Sequence, residues 1–483
     1  TASGNAVTGN YKDSQYQYDG AGRRISSTDA NGNTQTYFYD TQGRLTYFVN
    51  SLGEVEAYLY NSFGEQVDKV KLAERISTLD LTGGIVTSDL LTRIITQETK
   101  DTHNVTVYNL AGQVAQSIDG EGYRVDYSYN AYGELITEIR EINQAYLQGE
   151  VQVAAKTVTT SYQYDKQGNQ IVRRQDVGGI NLTTETQYDV FGRKIAVIES
   201  GDMLSKTQYD RNGRAIETTR YVETDTAAET RLIASTTYDA FDRVLTKVDS
   251  NGAITHYAYD DQNQSISVTS PEGIITTTKQ NAQSQTVSII DSLGRSIHYE
   301  YDANGNVIQV NDSVEGISNS EFDRLNNLIV STNPYGDRIE YQYNSESRTL
   351  TRRVDPDVVN GEAVTDARNQ VTSYQYDAKG SLVKETAANG LVTEYSYNLN
   401  GLMLRELKDP EGISKVTEHR YDGLSNELSL VEGELNLDGS IKLLREQHYQ
   451  FDKLGRRTAE LSDPDGLAVR TEYEYDNHGN VSK

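Results

Sequence analysis

Cysteine and tryptophan are absent from the 483 residues, and proline occurs 5 times, methionine 2 and phenylalanine 7. Without cysteine there is no disulfide, no thiolate nucleophile and no cysteine-held zinc or iron–sulfur site, and the redox compartment stays open. Apolar residues are scarce as well: 36% of the chain, with a mean hydropathy of −0.65. No segment supplies the ~20 apolar residues of a membrane-spanning helix. Positive charge is also short, with 45 Lys+Arg against 71 Asp+Glu and a net charge of −26. Nucleic acid and anionic membrane surfaces need clustered cations, so neither is expected as a partner. The opening Thr1-Ala2-Ser3-Gly4 shows no start methionine and no signal-peptide pattern, so an internal fragment or a processed product is expected.

Tyrosine, by contrast, occurs 35 times. Such a skew toward one amphipathic aromatic suggests one position used many times, and self-similarity is the first thing to look for. An aromatic followed by Asp or Asn recurs at Tyr18, Tyr39, Tyr60, Tyr108, Tyr129, Tyr164, Tyr188, Tyr209, Tyr238, Tyr259, Tyr301, Phe322, Tyr343, Tyr376, Tyr397, Tyr421, Phe451 and Tyr475. A degenerate copy has Gln280 in the aromatic slot, which makes 19 copies, and ten of the 18 intervals are 21 residues. The remaining intervals are longer and fit the same unit with longer hairpins.

The repeat columns carry physical meaning. Four residues after the aromatic, 13 copies have Gly and the others have Asp242, Asn263, Ser284, Asn326, Ser347 or Ser425. Asp and Asn side chains start turns by bonding their own backbone, and Gly, Asn and Asp tolerate positive φ, so this column pair marks a tight turn. Two residues before the aromatic, 12 copies have a second Tyr, which puts both rings on one face of a strand. A second turn follows in each unit, and Pro271, Pro334, Pro410 and Pro464 sit in it, with Gly273, Gly336, Gly412 and Gly466 two residues on. One unit is therefore strand, turn, strand, turn, the signature of an all-β architecture. Helix is a poor competitor, because two turn signals per unit break it. Short helices are expected only over Thr137–Leu147 and within Val67–Thr99.

Nineteen two-stranded units imply roughly 38 strands and a sheet ~180 Å wide at ~4.8 Å per strand. Open sheets rarely exceed ~10 strands without curling, and strand twist forbids a flat ribbon of this length. Tight turns call for antiparallel hairpins rather than a parallel β-helix. The predicted fold is all-β: antiparallel hairpin repeats of about 21 residues wound as a spiralling strip. Residues 1–483 form a single such segment, with an irregular or inserted region at 65–107, a longer hairpin or short helix at 137–161, and longer hairpins at 345–373 and 429–448.

These columns resemble the YD repeat, or Rhs repeat, from Tyr16 to Val481. The family includes bacterial polymorphic toxins, the B and C components of Tc toxins, and the teneurins. The resemblance implies a β-strip wound into a hollow cocoon, which in bacterial members encloses a toxin domain and in teneurins serves adhesion. The complete bacterial pattern has a DPxGLxGG-type stretch before a self-cleaving protease. Here Asp463-Pro464-Asp465-Gly466-Leu467 continues Ala468-Val469-Arg470 and reads as an ordinary repeat turn. Closed into a sphere, a ~180 by ~20 Å strip leaves a cavity of only ~12 Å radius, while a 100-residue domain has an outer radius of roughly 17 Å. The expectation is part of a larger shell, or an open half-shell.

No catalytic, cofactor-binding or metal-binding residues are expected. His256, His298 and His448 share one repeat column, a structural slot, and His103, His419 and His478 form no HxxxH or HExxH pattern. Glu434–Gly439 approaches a calcium loop, but Arg445 stands where a bidentate Glu is required. The Arg after the turn Gly (Arg23, Arg44, Arg193, Arg214, Arg243, Arg348, Arg456) is expected to pair with a neighbouring Asp. The resulting expectation is a non-catalytic shell segment of a secreted or cell-surface bacterial protein, without a cofactor. Its partners are the rest of its own or a partner Rhs shell and an enclosed toxin polypeptide, and the −26 charge would favour a cationic one. The alternative is an adhesion or carbohydrate-binding module, in which Tyr and Arg arrays stack on glycans.

Overall fold

The computed structural model describes residues 14–142, 156–200, 202–222, 230–355, 358–359, 362–363, 370–463, 468–476 and 479–482. One sheet contains 38 strands, and a separate two-stranded ribbon joins Val358–Val359 to Glu362–Ala363. The large sheet is an antiparallel meander from Gln15–Tyr18 to Val469–Glu472. Its one parallel pairing among the described residues joins Gly84–Ile85 to the end of strand Thr34–Tyr39. Apart from Gly84–Ile85, each strand of this sheet is four to eleven residues long, as two turns per unit dictate.

Because hairpins alternate sides, the strip has two edges of different kind. The turns that follow the tyrosine anchors all lie on one, here the anchor-turn edge. The second turns lie on the other, the second-turn edge. Every length change falls on the second-turn edge. Strand Gln66–Lys71 runs into the insertion before Thr102–Tyr108 there, and strands Leu135–Ile142 and Lys156–Tyr164 face each other across a longer connection. Strands Glu427–Leu435 and Ile441–Phe451 instead lengthen the hairpin itself.

Of the two helical stretches expected from sequence, one is present as a single short helix, Ser88–Arg93, capped by the Thr87 hydroxyl accepting from the Leu90 amide. The other is corrected: residues Leu135–Ile142 are strand, and 143–147 lie outside the described residues. Ile136, Ile139 and Ile142 have helical spacing, but the preceding turn launches a strand and six cross-strand pairs with 156–161 fix it. Tertiary pairing overrides local propensity here.

The apolar core is small and local. Phe38, Val49, Val55, Ala57, Val70, Leu72, Ile76 and Leu90 form one buried cluster, where the segment from Leu72 to Ile94 folds over one face of strands 34–71. Gly53 makes this docking possible. Its φ is +82°, its carbonyl accepts from the Ile76 amide at 2.8 Å, and a Cβ there would lie 2.0 Å from the Ile76 carbonyl oxygen. Elsewhere the strip is a thin wall with a tyrosine face and a polar face. In strand Ile254–Asp260, Tyr257 and Tyr259 are half-buried, while His256, Ala258 and Asp260 on the other side are exposed.

Candidate functional site

Sixteen of the eighteen aromatic anchors are the last residue of their strand; the exceptions are Tyr259, whose strand runs on to Asp260, and Tyr475, which sits in an isolated bridge. The ladder register slips just before most of them, as at Phe38/Tyr39 and Gln342/Tyr343. The anchor ring reaches back across the sheet, at Tyr259 without any slip in register. Its hydroxyl then donates to the backbone carbonyl six residues after the preceding anchor. Tyr39 reaches Arg24 O at 2.7 Å, Tyr60 Leu45 O at 2.8 Å, Tyr209 Lys194 O at 2.9 Å, Tyr259 Val244 O at 2.9 Å and Tyr343 Leu328 O at 2.8 Å. The same hook is made by Tyr108, Tyr129, Tyr188, Tyr238, Tyr301, Tyr376, Tyr421 and Tyr475. Burial pushes the hydroxyls of Tyr39, Tyr60 and Tyr259 above the ordinary phenol value, so they stay protonated donors. A hook of this kind explains why Tyr so outnumbers Phe and Trp.

The turn beyond each anchor is built by the following Asp or Asn. Asp40 Oδ1 accepts from the amides of Gln42 and Arg44, the Asp40 amide donates to Arg44 O, and Gly43 closes the turn onto Asp40 O. Gly43 has a φ of +85°. Five of the six non-glycine residues in this column, Asp242, Ser284, Asn326, Ser347 and Ser425, also take positive φ. At Asn263 the expectation fails, because the strand continues through Asp260 and the positive φ moves to Gln264.

A complementarity rule links the turn residue to the residue four positions on. Where the first is Asp, the second is a donor: Arg23, Arg44, Arg193, Arg214, Arg243 and Arg456 each donate Nε to it. Asn169, Asn306, Asn327, Asn426 and Asn480 do the same through Nδ2. Where the first is Asn, the second is an acceptor: Glu65, Gln113, Glu134 or Gln285. Arginine adds a further link by lying over the next anchor ring, as Arg243 over Tyr259 at 4.3 Å and Arg193 over Tyr209 at 4.6 Å. Hydrogen bonds from Arg23 hold the Asp19 carboxyl below its ordinary value.

Three successive anchor turns break the rule, and all three touch a distant part of the chain. Asn344 is followed by Arg348, so both are donors. Arg348 instead reaches Glu54, 294 residues away, with contacts of 2.5 and 2.7 Å. Arg75 also donates to Glu54 at 2.9 Å and to Asp377 O at 2.6 Å. Burial opposes ionisation of Glu54, but hydrogen bonds from Arg348, Arg75 and Asn50 outweigh it and hold its carboxyl below the ordinary glutamate value. Asp377 is followed by Ser381, and Lys379 of that turn donates to Lys100 O at 2.8 Å. Asn398 is followed by Leu402. There the Leu399 amide donates to Glu121 Oε1 at 2.6 Å, and Asn400 Nδ2 to Asp119 Oδ2 at 2.9 Å.

Asn31 to Asp323, Ser51 to Ser345 and Lys453 to Asp176 extend the same line. The strip therefore returns on itself after roughly 290 residues, the separations along the chain running from 277 to 302. The anchor-turn edge of the second lap is zipped to the second-turn edge of the first. A cleft of about 760 Å³ beside this seam is lined by Lys100, Tyr123, Asp377, Lys379, Tyr397 and Tyr421 among others.

His256, His298 and His448 lie within strands, and His448 Nε2 is 2.5 Å from Glu446. His103 pairs with Asp68 and His419 with Glu427, while His478 lies outside the described residues. Residues 436–440 form a hairpin tip. Among the described residues no group of three or more His, Asp or Glu is placed to hold a metal ion, and no helix is long and apolar enough to cross a membrane.

The RHS Repeat family model matches residues 9–47, 238–275, 281–314, 362–391 and 376–414. No curated protein matches the chain. Among solved structures, the chain is similar to TcdB2-TccC3 (TM-score 0.52, 12% identity, 98% of this chain and 30% of that one). It is also similar to TcdB2-TccC3 without its hypervariable C-terminal region (TM-score 0.53, 11% identity, 98% and 32%). The chain thus spans about a third of the length of the structures it matches. Tyrosine anchors, complementary turns and a self-zipping strip come together with these matches to one conclusion: the chain carries RHS repeats in the matched segments and is folded as a returning antiparallel β-strip similar to that of these structures.

Proposed function

We propose that this segment is a non-catalytic wall that encloses or scaffolds a toxin polypeptide in a secreted Rhs-repeat protein. The observation that carries the reading is the seam. A strip that only displayed a surface has no need to return after a lap and lock edge to edge, whereas an enclosing wall must close its gaps. The side chains most suited to chemistry are committed to holding the wall: carboxylates to turn amides and guanidiniums, arginines to carboxylates and rings, hydroxyls to carbonyls. The same commitment weighs against a glycan-stacking array, because arginines such as Arg193 and Arg243 already lie over tyrosines of the strip.

The test uses the complete natural polypeptide. A segment enclosed by the wall resists protease while the seam is intact, and Glu54→Ala with Arg348→Ala makes it cleavable. Equal cleavage of the bounded segment with and without the seam substitutions would sink the proposal.

A further inference from the structure

The dipeptide Asn-Gly occurs seven times in the chain. In the turns its glycine supplies positive φ, +88° at Gly32 and +82° at Gly401. The dipeptide is also chemically labile, because no Cβ on the glycine obstructs attack of its amide nitrogen on the asparagine side chain.

Two of these pairs stand in the seam, one on each lap. Asn31 Nδ2 donates to Asp323 Oδ2 at 3.0 Å, and Asn400 Nδ2 to Asp119 Oδ2 at 2.9 Å. Both acceptors begin a turn of their own. Asp323 Oδ1 is taken by the amides of Leu325 and Asn327, and Asp119 Oδ1 by those of Glu121 and Tyr123, so it is Oδ2 that meets the other lap. Gly120 leaves room for the approach, since a Cβ there would lie 3.1 Å from Asn400 Oδ1.

An amide in this place bonds the carboxylate, whereas a second carboxylate would repel it. The contrast is sharpest at Asn400. Its turn begins with Asn398 and has Leu402 in place of a side-chain acceptor, so the seam holds what the turn itself does not. Glu121 adds another acid there, bonded to the Leu399 amide.

We propose that Asn31 and Asn400 are sites of spontaneous covalent modification, and that their conversion to a carboxylate unlocks the seam. The Gly401 nitrogen bonds Asn400 Cγ and gives up its proton, while the Cγ–Nδ2 bond breaks and Nδ2 leaves with that proton as ammonia. Water then opens the succinimide. Addition at Cγ breaks the new Cγ–N bond and gives aspartate. Addition at the Asn400 main-chain carbonyl breaks that C–N bond and gives isoaspartate. Either carboxyl ionises and adds a negative charge. Asn31 and Gly32 react likewise. The Gly32 and Gly401 amides are bonded to Asp29 O and Asn398 O, both at 3.0 Å, so the first step waits on opening of the turn. Asn251-Gly252 carries the same restraint, with Gly252 bonded to Asp249 O at 3.0 Å, and no hydrogen bond ties the Asn251 side chain to another lap among the described residues. It is the internal control. The inference concerns the seam alone and stands whether or not the wall encloses anything.

Ageing of the complete natural polypeptide at mildly alkaline pH tests it, with each modified site read by peptide mass spectrometry as a gain of about 1 Da. Hydrogen-exchange protection of amides 119–123 and 398–402 is expected to fall in step with conversion of Asn400, and that of 29–33 and 323–327 with conversion of Asn31. Conversion of Asn251 is expected to leave all four stretches unchanged. Made directly, Asn400→Asp is expected to lose about tenfold in protection at 119–123. Asn400→Ala, which removes the bond without adding charge, is expected to lose less, and Asn251→Asp nothing. Retention of either seam amide through ageing that fully converts a synthetic Asn-Gly peptide would overturn the proposal. So would an Asn400→Asp chain that exchanges like its parent.

Discussion

Two stretches of the strip obey the same repeat and differ in what their turns touch. From Tyr238 to Asn306 the turns are held by their own unit or by the next turn along the rim. Arg243 satisfies Asp239 and reaches Asp261 at 2.7 Å, and Asn281 pairs with Gln285. From Tyr343 to Leu402 the local partner is missing or wrong, and side chains such as Arg348 and Lys379 hold another lap instead. The lesson is that an ion pair inside a turn is replaceable scaffolding, whereas the same residue type freed from its turn becomes a tertiary lock.

The largest expected difference between the two stretches is at glycine. Gly53 and Gly252 share a left-handed backbone, φ +82° and +81°, but nothing lies within 4 Å of a Cβ at Gly252. Gly252→Ala is expected to cost about 1 kcal/mol of backbone strain. Gly53→Ala must also displace the Ile76 backbone and unseat the insertion, with an expected cost of about 3 kcal/mol or more. Urea unfolding of both variants, with hydrogen exchange over residues 72–94, measures the gap. Equal costs would mean that the insertion is not anchored at Gly53.

Arginine gives the next contrast. Arg348→Ala leaves Glu54 largely buried with Arg75 as its remaining cation, and the expected loss is about 2 kcal/mol. Arg243→Ala removes a solvent-screened pair and is expected to cost far less. Hydrogen exchange of amides 50–54 and 345–348 should report the first substitution and not the second.

The same lock has an unusual pH profile. Glu54 is held below its ordinary value, so its contribution is present above about pH 4.3 and lost as pH falls through its folded value. Glu346 beside it is pushed up, by burial first and by the charge of Glu54, against a hydrogen bond from Ser51. Its favourable contribution is complete below about pH 4.3 and is lost as pH rises through its folded value. Seam protection is therefore expected to peak in mildly acidic solution and to fall on both sides. A profile that rises without a break to neutrality would show that Glu346 plays no part. Groups facing this pair are Arg348, Arg75, Asn50, Ser51 and Asp377.

The tyrosine hook is expected to matter less than the Arg348 lock. Tyr259→Phe removes the bond to Val244 O at a cost of about 1 kcal/mol. A change of fluorescence-detected thermal midpoint without any change in seam exchange is the expected signature.

Much of this fold was legible in the sequence because each repeat column answers to a local demand. Positive φ selects Gly43 and its equivalents, turn nucleation selects Asp or Asn, and the alternation of a strand places Tyr37 and Tyr39 on one face. Curling followed from the number of strands. The helix expected over Thr137–Leu147 failed because isoleucine spacing is ambiguous while pairing with 156–161 is not. The hook of Tyr onto a carbonyl was visible only as an unexplained shortage of Phe. The seam was hidden for a different reason. Its signal is an exception, Asn344 followed by Arg348, and an exception is invisible until the complementary pairing of Asp with Arg and Asn with Glu has been recognised. The insertion over 72–94 lies outside the repeat, and its docking on Phe38 and Val49 had no column to announce it.

The confinement of every length change to one edge has an engineering consequence. A foreign peptide spliced between Asp249 and Ala253 enters at a place where neighbouring units already tolerate extra residues, and the ladder register on either side is untouched. The same peptide placed after Tyr259 would enter an edge where no length change occurs and would open the turn that Asp260 holds through the amides of Gln262 and Asn263. One margin of this fabric is a hem that accepts additions, and the other keeps its gauge.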